Sequence, residues 1–330
     1  MFLASAAITA GCSSNPLSAP PPTIEPAAPA VSPPPATRPA GELMPLSGRP
    51  EAAIFDSRTA SLAVLAPGSD PQSPSTLTLF GVSGVTRELT LPGPATAIAG
   101  DSQGAAYLST RGGYFTVDLA AGTAAPVSIN DESGTDFTAI ARRADGRLVL
   151  GSADGTAYTM GSETAVAEKV KIFARVDAIV TEGNNAVVLD RGQTSVTSLN
   201  SDGQTGQALR AGEGATTLVA DPLGRVLVAD TRGGQLLVFG VDPLIERQAY
   251  PVPEAPYGLA GSRNLAWVSQ TAANMVVGYD LATGIPVEKV RYPTVQQPNS
   301  LAYDDSSDTL YVVSATGAGV QMIRNAAGVR

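Results

Sequence analysis

Residues 216–239 read TTLVADPLGRVLVADTRGGQLLVF. A short apolar run leads to Asp-Pro-Leu-Gly, a second run leads to Thr-Arg-Gly-Gly, and a third follows. Short β-rich runs bounded by turn residues are strands joined by hairpins. The phrase returns as TAIAGDSQGAAYLSTRGGYFTVDL (96–119), TAIARRADGRLVLGSADGTAYTM (138–160) and NSLAYDDSSDTLYVVSATGAGVQMI (299–323). Aligning the copies places Ile54, Ile98, Ile140, Ile179, Leu218, Leu259 and Leu301 at one equivalent position, with separations of 44, 42, 39, 39, 41 and 42 residues. A period near 40 with four short strands per copy predicts the blades of a β-propeller.

The fourth strand of a copy has its own signature. TRELTLP, AEKVKIF and VEKVRYP alternate polar and apolar residues, as a half-exposed outer strand does. No segment sustains a 3.6-residue period, so almost no helix is expected. The last copy, from Asn299, supplies only three strands, and GELMPLSG (41–48) precedes the first copy. Residues Glu42 to Leu46 are therefore expected to pair with Val320 to Arg324. The predicted fold is an all-β, seven-bladed propeller of four-stranded antiparallel blades over 42–330, closed by an N-terminal strand.

Composition narrows the chemistry. The 330 residues are 43% hydrophobic and 15% charged, with a formal net charge of −9. That balance supports a large core and argues against nucleic acid as a partner. The chain has no histidine and one cysteine, Cys12. Ser-His-Asp and Cys-His catalysis, an intramolecular disulfide and thiolate metal clusters are excluded. Lysine occurs only at 169, 171 and 289, never three residues after a serine, so Ser-x-x-Lys catalysis is excluded as well.

Residues 2–10 are small and apolar and are too short to span a bilayer. They read as the end of a secretory signal over 1–11. TAGC (9–12) resembles the bacterial lipobox, which implies that Cys12 is lipidated. Thr9 stands where leucine is usual, and no charged region precedes the apolar part, which suggests a chain recorded from inside a longer signal. Ser13 to Ala40 hold ten prolines. Proline fixes φ and lacks an N–H, so 12–41 reads as an anchored, extended tether reaching on the order of 90 Å at ~3.1 Å per residue.

The repeats resemble those of the YVTN and NHL propeller families. DPLGRVLVADTRGG (221–234) is close to an NHL strand-turn-strand, and DDSSDTLYVVSATGAGVQMI (304–323) to a YVTN repeat. The whole chain resembles the actinobacterial propeller lipoproteins of the LppL type. That resemblance rests on AGCSSNPL (10–17), PPTIEPA.PAVSPP (21–34), LPGPA (91–95), RGGYF.VDL (111–119) and TDFTAIARR.DG.LVLGSADG (135–155). It implies a cell-envelope lipoprotein on the outer face of the cytoplasmic membrane, and it assigns no reaction.

In a propeller, the loops entering the innermost strands and the turns between second and third strands share one face. The entering loops carry Glu51, Asp136, Arg175, Asp177, Glu213, Glu254, Tyr257, Gln297 and Asn299, and the turns carry Arg111, Asp154, Asp190, Arg191, Asp230, Arg232, Gln270 and Asn274. Candidate ligand-binding residues are Arg111, Arg232, Asp136, Glu213, Glu254 and Tyr257. The two arginines occupy similar Thr-Arg-Gly-Gly turns and suit an anionic group. Competing with this is plain turn chemistry, in which Asp caps its own backbone and Gly takes positive φ. No catalytic residue and no resident metal is assigned. The expected role is non-enzymatic binding or scaffolding, with the membrane, an envelope protein or a glycan as partner. The alternative is a calcium-dependent hydrolase of the lactonase type, with oxygens from Glu51, Asp136, Asp177, Glu213, Glu254 and Asn299.

Overall fold

A computed structural model of the chain describes residues 22–46, 48–81 and 86–328. The signal segment and Cys12 lie outside the described residues. Each repeat forms one four-stranded antiparallel sheet, and seven such sheets make the ring. Blades 1 to 6 span residues 52–90, 97–128, 137–171, 178–210, 215–251 and 256–293. Blade 7 takes three strands from 298–324 and its fourth from Glu42–Met44. No helix occurs among the described residues.

The seven aligned positions all fall on innermost strands: Ala52–Asp56, Ala97–Gly100, Phe137–Arg142, Ala178–Glu182, Ala215–Asp221, Pro256–Gly261 and Pro298–Asp304. Second strands lie between neighbouring blades and are covered on both faces. Leu148–Ser152, Ala266–Gln270 and Thr309–Ser314 are buried at every residue, which is why they read as nearly unbroken apolar runs. Of the outer strands, Val166–Lys171 keeps a strict alternation of half-buried and exposed residues, while Thr86–Thr90 is exposed except at Leu89.

A single blade cannot bury either face, so the core is divided among the junctions. Seven apolar clusters fill the seven blade-to-blade interfaces, and the cluster between blades 7 and 1 joins Leu62, Val64 and Phe80 to Tyr311, Val313 and Met322. Trp267 is fully buried between blades 6 and 7 and stacks on Tyr303 with ring centroids 5.6 Å apart. It is a core residue of the blade 6–7 junction.

A second tie repeats on the face where the inner strands begin, from Thr96 and Thr138 at inner-strand starts and from Thr231 in the turn after the second strand of blade 5. Thr96, Thr138 and Thr231 donate their hydroxyls to carbonyls of the next blade, at Phe137 (2.7 Å), Val176 (2.5 Å) and Pro256 (2.5 Å). Ser300 of blade 7 donates to the Glu51 carbonyl at 3.0 Å and so carries the pattern across the closure.

Closure follows the predicted pairing. Glu42 faces Met322, Leu43 faces Gln321 and Met44 faces Val320. Leu46 then enters the cluster between blades 7 and 1. Gly41 makes the approach possible: its φ is +72°, and a Cβ there would lie 2.2 Å from the Met322 carbonyl oxygen. The DDSSD turn (304–308) is more than the solvated loop its composition suggests. Asp304 is buried and caps Ser306, while Asp308 accepts from the Tyr303 hydroxyl at 2.5 Å and from the Ala327 N–H at 2.8 Å.

The closure predicts that removal of residues 1–47 lowers the melting temperature sharply. Leu46→Ala should cost about 2–4 kcal/mol in chemical denaturation. Unchanged melting of the truncated chain would show that the ring does not depend on this strand.

Candidate functional site

The entering loops and the second turns meet on one face, where the polar residues fall into three groups. Members of the first group clamp the face to itself. Asp190 and Asp230 end the second strands of blades 4 and 5 and are fully buried. Asp230 accepts from the N–H groups of Gly233, Gly214 and Glu213 at 2.9, 2.8 and 2.9 Å. Asp190 accepts from Gln193 and Ala174 at 2.9 and 2.7 Å. Each carboxylate thus ties its own turn to the loop entering the same blade. Ser152, Gln270 and Ser314 occupy the matching position in blades 3, 6 and 7; Gln270 donates to the Pro253 carbonyl and Ser314 to that of Gln296. These side chains are turn chemistry, one of the readings the sequence left open.

The second group lines the inner mouth. Burial pushes the Glu51 carboxyl up from the ordinary carboxylate value, and does the same to Asp177. Asp177 accepts from the Arg191 N–H at 2.8 Å and from Arg175 Nε at 3.1 Å. Tyr257 is raised by burial, opposed by the Arg191 guanidinium and reinforced by Glu51. Blades 1, 4 and 6 therefore bring Glu51, Arg191 and Tyr257 into one electrostatic neighbourhood.

The third group holds main chain. Residues 22–40, expected to stand free as a spacer, lie along this face over blades 4 to 7. The Ile24 N–H donates to the Gly192 carbonyl at 2.8 Å, and Arg232 donates to the Glu25 carbonyl at 2.7 Å. Arg191 donates to the Ala27 carbonyl. Over blades 6 and 7, the Ala30 N–H reaches Thr271 Oγ1 at 3.1 Å and the Ser32 N–H reaches Gln297 Oε1 at 3.0 Å. Gln297, Gln296 and Asn274 donate to the carbonyls of Ala30, Ser32 and Pro33 at 2.9, 3.1 and 2.7 Å. Finally, Ala40 bonds Pro293 and receives Gln321, just ahead of the closing strand. Proline explains the absence of strand geometry here, while its carbonyls remain free acceptors.

The residues nominated from sequence are placed as follows. Arg111 and Asp136 meet in an exposed ion pair at 2.7 Å, between blades 2 and 3. Arg232 and Glu213 meet through the Glu213 carbonyl at 3.2 Å, in blade 5. Tyr257 belongs to the inner mouth. Glu254 sits beside it with φ +64°, its carbonyl accepting from Ala272 at 3.1 Å. Arg111 already pairs with Asp136 and Arg232 already holds carbonyls, on well-separated blades, so the two arginines do not converge on one anion. Glu51, Asp136, Asp177, Glu213 and Glu254 form no cluster of three acidic side chains able to hold a metal ion among the described residues. The strap on this face was not anticipated. Every residue has a carbonyl, so no side-chain pattern marks a segment held by its backbone.

No family model matches the chain, and no curated protein matches it. Solved structures share its fold. Streptogramin B lyase superposes with a TM-score of 0.70 at 11% identity, over 86% of this chain and 97% of that one. The WD40 repeats of RRP9 give 0.71 at 14%, over 86% and 96%. A catalytically inactive histidine-to-alanine variant of virginiamycin B lyase from Staphylococcus aureus, with quinupristin, gives 0.69 at 10%, over 85% and 97%. At these identities the likeness is one of fold.

Two predictions separate the clamps from the surface. Asp230→Ala removes the buried acceptor of three N–H groups, that of Gly214 buried and those of Glu213 and Gly233 part-buried, and should cost about 2–3 kcal/mol in denaturant unfolding. Arg111→Ala removes one exposed ion pair and should change stability by under about 0.5 kcal/mol. Equal effects would erase the distinction. Asp154 supplies a pH test. Burial raises its carboxyl, but hydrogen bonds from Lys171, Ser152 and Thr156 outweigh that and hold it down at about 2. Its stabilisation is present above the ordinary 3.8 and is lost as pH falls through about 2. A carboxyl NMR titration should show Asp154 among the last to protonate, and Lys171→Ala should return it toward 3.8.

Proposed function

We propose that the chain is a cell-envelope lipoprotein, anchored through Cys12 on the outer face of the cytoplasmic membrane, whose propeller is a non-enzymatic binding module. The observation that carries the binding role is the capture of residues 24–33 by side chains of four consecutive blades. One of the three polar groups of this face is committed to holding a polypeptide. Two of the structural neighbours are lyases, and one of these is a histidine-to-alanine variant described as inactive. This chain contains no histidine, so histidine chemistry has no counterpart here. The anchor is supported by the lipobox-like TAGC and the Cys-Ser-Ser start that follows it. The partner on this reading is an envelope protein, or a glycan presented with one.

Mass spectrometry of the N-terminal peptide from the native host should find a diacylglyceryl thioether on Cys12, and Cys12→Ala should release the propeller to the soluble fraction. An unmodified thiol would remove the anchor. For binding, a photocrosslinker replacing Val31, which is 91% exposed on the strap, should give discrete adducts in cells. The same group at Leu223, in a turn on the opposite face, should not. Equal labelling from both positions, or none from Val31, would overturn the assignment of this face.

A further inference from the structure

The groove beneath residues 24–33 is built with more care than its occupant. Its walls include Thr271, Asn274 and Gln297, all buried. Asn274 and Gln297 hold φ values of +50° and +56°, a region that asparagine enters readily and that glutamine seldom adopts. Gln297 is fixed on both sides: its Nε2 reaches the Ala30 carbonyl at 2.9 Å and Asn299 Oδ1 at 3.0 Å, while its N–H reaches Asn274 Oδ1 at 3.2 Å. These amides form an ordered network aimed at main-chain atoms.

The occupant is held lightly by comparison. Only Ala27 and Ser32 of the strap are buried, so a methyl and a hydroxyl are its whole inward side-chain contribution. The remaining contacts are hydrogen bonds to its backbone, which any extended chain of the right curvature can supply. A polyproline-type chain has no internal hydrogen bonds and loses little entropy on docking. Prolines at 26, 29 and 33 impose that conformation on the occupant.

We propose that this groove is a receptor for extended, proline-rich peptide segments of a partner protein, and that residues 24–33 are its resident competitor. The peptide class is a polyproline-type strand with small residues five positions apart, as Ala27 and Ser32 are. Tethering gives the resident an effective concentration on the order of millimolar, so a partner enters by outcompeting it. The inference rests on the reading of this face as a binding surface and adds the chemistry of what binds.

The test uses the full chain. Ala27→Arg with Ser32→Arg should expel the resident strap, because two arginines cannot occupy the buried sites. A fluorescent peptide of residues 22–36 should then bind the variant at least tenfold more tightly than the wild type, by anisotropy. Adding Gln297→Ala and Asn274→Ala to the strap variant should abolish that binding. A folded strap variant that does not bind the peptide overturns the proposal. Should the double variant fail to fold, hydrogen exchange on the wild type decides the matter. The Ala30 and Ser32 amides should exchange through a local opening much faster than second-strand amides such as Val228. Exchange of both sets only by global unfolding would make the strap a fixed belt and overturn the proposal. Adducts from position 31 without peptide binding would reject the peptide class while leaving the binding role in place.

Discussion

The ring stands on one short strand pair. Glu42–Met44 on Val320–Arg324 joins the two ends of the chain, and without it blade 7 lacks its outer strand. Every blade is stabilised by its two neighbours, so an open junction exposes apolar faces on both sides of the gap. The junction between blades 7 and 1 has the same kind of core as the other six, including Leu46 and the Phe55–Tyr311 stack at 5.5 Å. Gly41 permits the approach and Leu46 seals it, which explains a glycine and a leucine flanking such a brief strand.

The same N-terminal region performs two jobs of different physical character. Its closing strand belongs to a sheet and is specified by ladder hydrogen bonds and burial. The preceding strap belongs to no sheet, buries two small side chains and is held through its carbonyls. Its receptors come from four blades and are amides, guanidinium groups and a threonine. Asp190 and Asp230 shape the turns on which Arg191 and Arg232 stand, so the clamps and the groove form one arrangement: buried carboxylates fix the turns, and fixed turns aim the arginines.

Much of this was legible in the residues. The 39-to-44-residue spacing set the blade count, the alternation in TRELTLP marked outer strands, and the missing fourth strand of the last copy pointed to Glu42–Met44. These signals are periodic and rest on side-chain burial, which composition records. The strap left no such record. Proline-rich sequence says which structures cannot form, and it is silent on whether the chain docks. Which polar residues would be clamps, which would face the mouth and which would hold the strap was equally hidden. All three groups are polar residues at strand ends and in the loops beside them, and orientation more than residue type separates them.

The docked strap also limits how far the head can stand from Cys12. An extended stalk starting after Cys12 would have reached on the order of 90 Å. Chain contact with the propeller begins by Ile24, and the described chain starts at Pro22, ten residues after Cys12. Whatever path those ten residues follow, they span at most about 36 Å. On the proposed anchor at Cys12, the strap-bearing face would be tied on its blade 4 and 5 side to a gap little deeper than one small domain. On that same proposal, a partner meeting the groove while the strap is docked would work within a shallow layer above the lipid, which favours slender, extended partners over bulky ones.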